Sequence, residues 1–345
     1  MLALERGRVR SAGPTAAGEQ ELSVELADGE HPALADLALV GGCEVGDEVI
    51  VNVAARELGL GSGGFDIVHA NLTRGLGAPR TASGRVLKLN YTSLQHEIDP
   101  LDARVGDDAL SALAGAPVGV IALHGQLAPV AWAFARRAPG ARLGYVQTAG
   151  GALPGSHSRT ARELRRRGIL VSHLTAGAAF GGSDGDAITT AGALAHGFSQ
   201  LRWNAALCGP GPGIVGSAST FGHGGLTMLD SAHAALALGA ATLLVPRMSS
   251  SDPRPEHRGL SHHTRTVLEL LLAQVTVALP AGEPEPAVGG RHVWRRHDVE
   301  VDLDAYAASG LPADVMGRPL AHDRLFFAAA LAGGSVLAEL ARALA

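Results

Sequence analysis

The chain has 345 residues, 46% hydrophobic and 18% charged, a globular balance that excludes wholesale disorder and fits about two domains. A formal net charge of −5 excludes a general nucleic-acid binder, which needs a basic face. The start "MLALERGRVRS" lacks a signal peptide's apolar core, no run of about 18 apolar residues reads as a membrane span, and two distant cysteines, Cys43 and Cys208, exclude a disulfide framework, so a cytoplasmic protein is expected.

Residues 1–78 read as a small β-barrel-like domain. "RGRVRSA", "QELSVELADG", "GDEVIVNVAA" and "FDIVHANL" run apolar or alternate, with Gly and Asp between them. "LGLGSGGFD" is rich in glycine, but no helical pattern follows it, so it is no phosphate loop. "TRGLGAPRTASG" reads as a linker. Lys88 is the only lysine of the chain, and this makes it a candidate anion contact beside the plainer reading of an exposed strand residue.

From residue 84 to 280 the rhythm changes to a Rossmann-like α/β domain. "VGVIALHG", "ARLGYVQT", "ILVSHLTAG", "WNAALCGPG", "ATLLVPRMS" and "VTVALP" are apolar runs separated by helix-period segments. That alternation predicts a doubly wound, mostly parallel sheet covered on both faces. Residues 281–345 read as a turn-rich connector, "AGEPEPAVGG", and a C-terminal helix packing on the α/β domain. The fold class is therefore α/β with a small N-terminal β domain.

Ligands of open α/β sheets bind beyond the carboxyl ends of the strands. The segments after the predicted strands carry the polar residues: His124 and Gln126, "TAGGALPGSHS", "AAFGGSDGD", "GPGPGIVGSASTFGHGG" and "SSSDPRPEHRGLSHHT". Gly211, Gly213 and Gly216 spell G-x-G-x-x-G, but prolines intervene, the helix starts only near Leu226, and no acidic residue follows at the ribose-binding distance. A dinucleotide site is disfavoured. The broader reading is a backbone that offers N–H groups to an anion at Gly211, Gly213, Gly216 and Ser217, with His223 in the same loop. No Walker lysine and no G-x-S-x-G elbow occur, and Cys208 reads as a buried hydrophobe. At "SHSRTARE", Thr160 and Glu163 fit a capping box.

The segment 249–264 holds His257, His262 and His263. Ser261 is the expected N-cap of the following helix, which makes His262 and His263 the first helical residues. Successive helical residues point about 100° apart, so the two rings are not expected to share one ligand atom. The positive helix end disfavours imidazolium and keeps both rings neutral. His257 and Asp252 are metal-ligand candidates. Arg254, Arg258 and Arg265 instead favour an anion. Anion or acid–base work, metal binding and a purely structural role all stay open.

The blocks "VLKLNYTSLQ", "VGVIALHGQLAPVAWAFARRAPGARLGYVQTAGGALP", "SRTARELRRRG", "TAGAAFGG", "GPGPGIVG" and "HRGLSHHT", in this order, resemble the bacterial family named domain of unknown function 3866 over nearly the whole chain. Its family-like positions include Lys88, Tyr91, Gln95, His124, Gly213, Gly216, His257, His262 and His263. The glycine block here carries an extra Gly-Pro. The resemblance implies membership and transfers no activity.

The residues lead to two expectations. One is an enzyme for a small anionic or phosphorylated metabolite, with His124, His262 and His263 as catalytic groups and Arg258 pairing with the anion. Metal-assisted hydrolysis is its variant, and no cofactor is specified. The other is a non-catalytic ligand-sensing or scaffold protein using the same crevice. Neither nucleic acid nor membrane is an expected partner, and a homo-oligomer stays open.

Overall fold

The computed structural model describes residues 2–15, 18–59, 64–74, 84–106, 109–151, 154–217, 219–288 and 290–344. It divides into two compact units, Met1–Ile98 and Asp99–Ala345. Most of the expected linker, residues 75–83, lies outside the described residues.

In the first unit, β1 (Leu4–Ala12), β2 (Glu19–Leu26), β3 (Gly29–Asp36), β4 (Glu48–Asn52) and β5 (Asp66–Asn71) close a barrel in the order β1-β2-β3-β5-β4. Val9, Val24, Val49, Val51 and Val68 fill its interior, the inward half of each strand's two-residue alternation. Strand β3 has no clear apolar alternation in the sequence, because Pro32 interrupts it and its buried residues crowd the second half. Two short helices follow barrel strands, α1 (Leu37–Val40), capped by Asp36, and α2 (Ala54–Glu57). A hairpin of β6 (Val86–Lys88) and β7 (His96–Ile98) also belongs to this unit, whereas the sequence pattern starts the α/β domain at residue 84.

The second unit carries a sheet of eight parallel strands. Helix α3 (Ala109–Leu113) leads into β8 (Pro117–Ile121), α4 (Leu127–Arg137), β9 (Leu143–Thr148), α5 (Arg159–Arg166), β10 (Ser172–Ala176), β11 (Asp186–Ala187), α6 (Thr190–Ser199) and β12 (Ala205–Pro210). The chain continues through α7 (Thr227–Ala237), β13 (Ala241–Val245), a small ribbon of β14 (Met248–Ser249) and β15 (Gly259–Leu260), α8 (His262–Leu270), β16 (Thr276–Pro280) and β17 (Val293–His297). Last come α9 (Glu300–Ala307), the two-residue strands β18 (Asp314–Val315) and β19 (Arg318–Pro319), and α10 (Arg324–Arg342). The sheet order is β11-β10-β9-β12-β8-β13-β16-β17. Strands β8, β9, β10, β12 and β13 are buried almost throughout, which is why each appears in the sequence as an apolar run rather than an alternation.

Helices α6, α7 and α8 cover one face; α4, α9 and α10 pack together on the other. By length and hydropathy α10 would span a membrane, yet 78% of its most apolar window is buried inside the unit, the place of a core helix. Its approach to α4 needs glycine: a Cβ at Gly334 would stand 2.1 Å from the Val130 carbonyl oxygen.

The strand order fixes where the crevice opens. After β8 the chain moves to β9, on one side, and after β13 it moves to β16, on the other. Strands β8 and β13 are neighbours, so their connections part at that point of the carboxyl edge. The β12 connection crosses β8 to reach β13 and borders the same place. Gln126, just past β8, donates to the carbonyls of Val245 (3.3 Å) and Pro246 (3.0 Å), fastening the two strand ends together.

Candidate functional site: a histidine cluster at the carboxyl edge

Two connections supply four histidines. The loop from β12 to α7 brings His223, held where residues Gly216 and His223 form an isolated antiparallel bridge. The loop from β13 to α8 brings the other three. Its base is pinned by the β14–β15 ribbon, with Met248 opposite Leu260 and Ser249 opposite Gly259. A short 3-10 turn over Pro255–His257 turns the His257 ring inward, leaving that residue 2% exposed. Ser261 then caps α8, its Oγ accepting from the His263 N–H at 3.3 Å.

The rings converge. Centroid separations are 4.2 Å for His262–His263, 4.8 Å for His257–His262 and 4.7 Å for His257–His263. One ring nitrogen of each of these three lies within 4.8 Å of the others. The 100° step between His262 and His263 does not keep their rings apart: a nitrogen of each lies within 4.8 Å of the other. Each Cα–Cβ bond of a helix tilts toward its N-terminus, so side chains of the first turn project past the helix end instead of fanning around its barrel. His223 joins them, stacked on His263 with centroids 3.4 Å apart.

Beside the rings lies a buried ionic network. Arg247, the second residue after β13, pairs with Asp252 at 3.0 Å, and their side chains are 2% and 0% exposed. Arg254 and Arg318 also reach Asp252, at 3.0 and 3.4 Å, and Arg318 reaches the buried Asp323 at 3.1 Å. Ser249 Oγ donates to Asp323 at 2.7 Å, tying the network to the ribbon. Three guanidinium groups thus face two carboxylates, a surplus of one positive charge. Arg247 also stands 3.3 Å from Nδ1 of His263. Arginine only donates, so this nitrogen accepts and the neutral ring carries its proton on Nε2.

All four histidines are held neutral. Burial, then the neighbouring rings and Arg247, push His263 down to about 2. Burial with the charges of Arg247 and Arg254 takes His257 to about 4. Burial with His262 takes His223 to about 4, and the Thr220 backbone offsets this only in part. His262 is lowered by burial, against the opposing pull of Glu256. Burial opposes ionisation of Asp252, but the hydrogen bonds and charges of Arg254 and Arg247 hold its carboxyl well below the usual carboxylate range.

The other residues singled out in the sequence take different places. Asp252, paired on three sides with arginine, is committed to the ionic network and is absent from the set of convergent ligand atoms. Arg258 is exposed and donates its Nε–H to the Asp252 carbonyl at 2.9 Å. The expected anion cradle is not free for that use at Ser217. Its N–H bonds the Gly222 carbonyl at 2.5 Å, and its hydroxyl closes the same turn. Gly211 and Gly213 precede that turn, and Gly216 is bridged to His223. Lys88 is buried on β6 of the first unit, at 6% exposure, against the exposed position its strand suggested.

His124 is part of a second group. Its Nε2 lies 3.1 Å from Ser158 Oγ, its ring is 6.5 Å from Tyr145, and Tyr145 stacks on His173 at 5.1 Å. Burial lowers His124 to about 4. Ser158 caps α5 by accepting from Ala161 N–H at 3.1 Å, in place of the expected Thr160–Glu163 box, and Glu163 pairs with Arg166 and Arg167 instead. Arg247, Arg318 and Asp323 were not candidates in the sequence. Arg247 alone left a trace there, as a charge directly after an apolar strand.

A family model described as protein of unknown function (DUF3866) matches residues 33–334. No curated protein and no solved structure matches the chain.

Proposed function

We propose an enzymatic function for this chain, which belongs to the DUF3866 family: it takes a small anionic, phosphorylated substrate at the carboxyl edge of the sheet and acts on it with neutral histidines. One observation carries the reading. Four imidazoles held neutral converge beside a buried arginine–aspartate network with surplus positive charge.

Neutral imidazoles donate, accept or ligate at ordinary pH without first losing a proton. His263 is the clearest case. Arg247 fixes its acceptor nitrogen, so Nε2–H is a donor suited to polarise a substrate oxygen, as a helix-end histidine does in triosephosphate isomerase. His262 is half-exposed at the mouth of the cluster and is positioned to exchange a proton. Arg258 is exposed, and no carboxylate pairs with it among the described residues, which suits it to meet the anion. His124 belongs to the neighbouring group and supports the site through the β8 end. A cytoplasmic setting fits the two free, buried thiols of Cys43 and Cys208.

The test is a thermal-shift screen of phosphorylated metabolites and nucleotides, followed by turnover of any compound that stabilises the protein. Arg258→Ala is expected to weaken the stabilisation, and His263→Ala to abolish turnover with the fold intact. Binding without any chemical change in the bound compounds would replace the enzyme with the ligand-sensing role. No stabilisation by any anion would overturn both.

A further inference from the structure

We propose that His257, His262 and His263 form a binding site for a divalent transition-metal ion of the zinc class, with His223 as the buried partner behind it. The proposal deepens the anionic-substrate reading and depends on it only for what fills the ion's open position.

Three features carry it. The first is convergence: a ring nitrogen from each of the three residues lies within 4.8 Å of the other two. Zinc–imidazole bonds of about 2.0–2.1 Å set tetrahedral ligand nitrogens about 3.3 Å apart. Each ring then needs to move by less than about 1 Å, and His262, the least buried of the three, has the most freedom to do so. The second is His223. It is 7% exposed, and neither of its buried ring nitrogens makes a hydrogen bond of good geometry, the Thr220 backbone offering only a marginal one. Buried polar atoms are rarely left unsatisfied, and an ion with its bound water beside His263 would satisfy them. The third is His257, whose Nδ1 is engaged by Ser261 Oγ at 2.8 Å, leaving Nε2 for the ion. An outer hydrogen bond of this kind is the usual support of a metal-ligating imidazole.

The donor set selects the ion. Imidazoles without carboxylates suit zinc, copper, nickel or iron and disfavour magnesium or calcium. Three protein ligands leave a fourth position open, the arrangement of catalytic sites rather than structural ones. The surrounding charge limits what can fill that position. Arg247 and Arg254 already share Asp252, so a further dication is tolerated best when its fourth ligand is an anion. Ion uptake also competes with the Arg247 contact to His263, which at 3.3 Å is longer than the 3.0 Å pair Arg247 keeps with Asp252.

The experiment uses the full chain, stripped with a chelator and then titrated with Zn²⁺ or Co²⁺ alone. We expect about one ion per chain by elemental analysis, and the intense visible bands of four-coordinate Co²⁺. His257→Ala, His262→Ala and His263→Ala should each weaken uptake roughly 100-fold or more, since even outer partners of a metal site are worth about 10–100-fold. Thermal unfolding identifies any variant that fails to fold, and His262→Gln, at the most accessible ligand, serves as the conservative replacement. A folded wild-type chain that takes up no ion overturns the site. Uptake unchanged across the folded variants overturns it as well, because the ion then sits elsewhere. Inorganic phosphate separates this proposal from the one it deepens. If no ion is taken up but phosphate stabilises the protein, the anion reading stands and the metal site falls. An ion held by the three histidines, with no effect of any anion, does the reverse.

Discussion

The ring of His223 lies flat on that of His263, with centroids 3.4 Å apart and planes inclined by 12°. The two residues come from different connections, one after β12 and one after β13, so this stack joins the Gly-rich loop to the helix end that carries the cluster. Packing alone does not explain it, because a phenyl ring would stack equally well and would bury no unpaired nitrogen.

That contrast gives a test in His223→Phe. If the imidazole nitrogens serve a ligand, Phe removes a burial cost of about 1–3 kcal/mol and leaves the fold as stable as before or slightly more so. Zn²⁺ uptake should fall by at least about tenfold. Thermal unfolding with and without Zn²⁺ reads both effects. Undiminished binding by the Phe variant would reduce His223 to a packing residue.

The Arg247–Asp252 pair makes a different demand. With side chains 2% and 0% exposed, neither charge reaches water, so Asp252→Asn strands Arg247 in the interior. A loss of about 3–5 kcal/mol is expected for one broken partner of a buried pair. Arg254→Ala removes a side chain that is 48% exposed and should cost under about 1 kcal/mol. Urea unfolding of the two variants measures the difference, and equal losses would contradict the burial argument.

Stability should also fall with acid. Burial lowers His124 to about 4, and burial with the His124 and Arg165 charges lowers His173 to about 3. The unfolded chain titrates these rings near 6.5, so between that value and the folded one the unfolded state binds more protons. Stability is complete above about 6.5 and declines as the pH drops toward 4, by of the order of 1–3 kcal/mol for each ring. Urea midpoints followed down in pH check the sign. His173→Gln should flatten the slope and leave the neutral-pH value less affected. A midpoint that rises on acidification would refute the assignment.

The alternation of apolar strands and helices was legible because strands buried on both faces leave continuous runs in the sequence. The edges were not. Strand β17 is largely exposed and reads as "VWRRH", and β11 has only two residues, so neither leaves an apolar signal. At the site, the histidines were visible as a cluster and the capping role of Ser261 was foreseen, but the convergence of the rings was not. It depends on the direction of side chains at a helix end, which spacing does not encode. Arg318 and Asp323 were invisible for another reason: they meet Asp252 and Ser249 across 66 and 74 residues of chain. The expected phosphate cradle failed at Ser217 because its donors close their own turn.

Gly225 offers the most selective probe of the cluster. It sits buried in the turn before α7, and a Cβ there would stand 3.1 Å from Nδ1 of His223 and 3.5 Å from Nδ1 of His263. Both obstacles are ring edges, which can yield by a few tenths of an ångström. Gly225→Ala should therefore cost no more than about 1 kcal/mol of stability, at the low end for overpacking, while shifting the His223 ring of the stack, the one in tight contact. The neighbouring Gly224 is the control. A Cβ there would fall 1.7 Å from the Gly150 carbonyl oxygen, a backbone atom that cannot move aside, so Gly224→Ala should destabilise the whole unit. Melting temperature and Co²⁺ titration together separate the two cases: Gly225→Ala is expected to melt near wild type and bind the ion several-fold more weakly. If it binds as wild type does, the stack is not part of the ligand site, and His223 only fills space beside it.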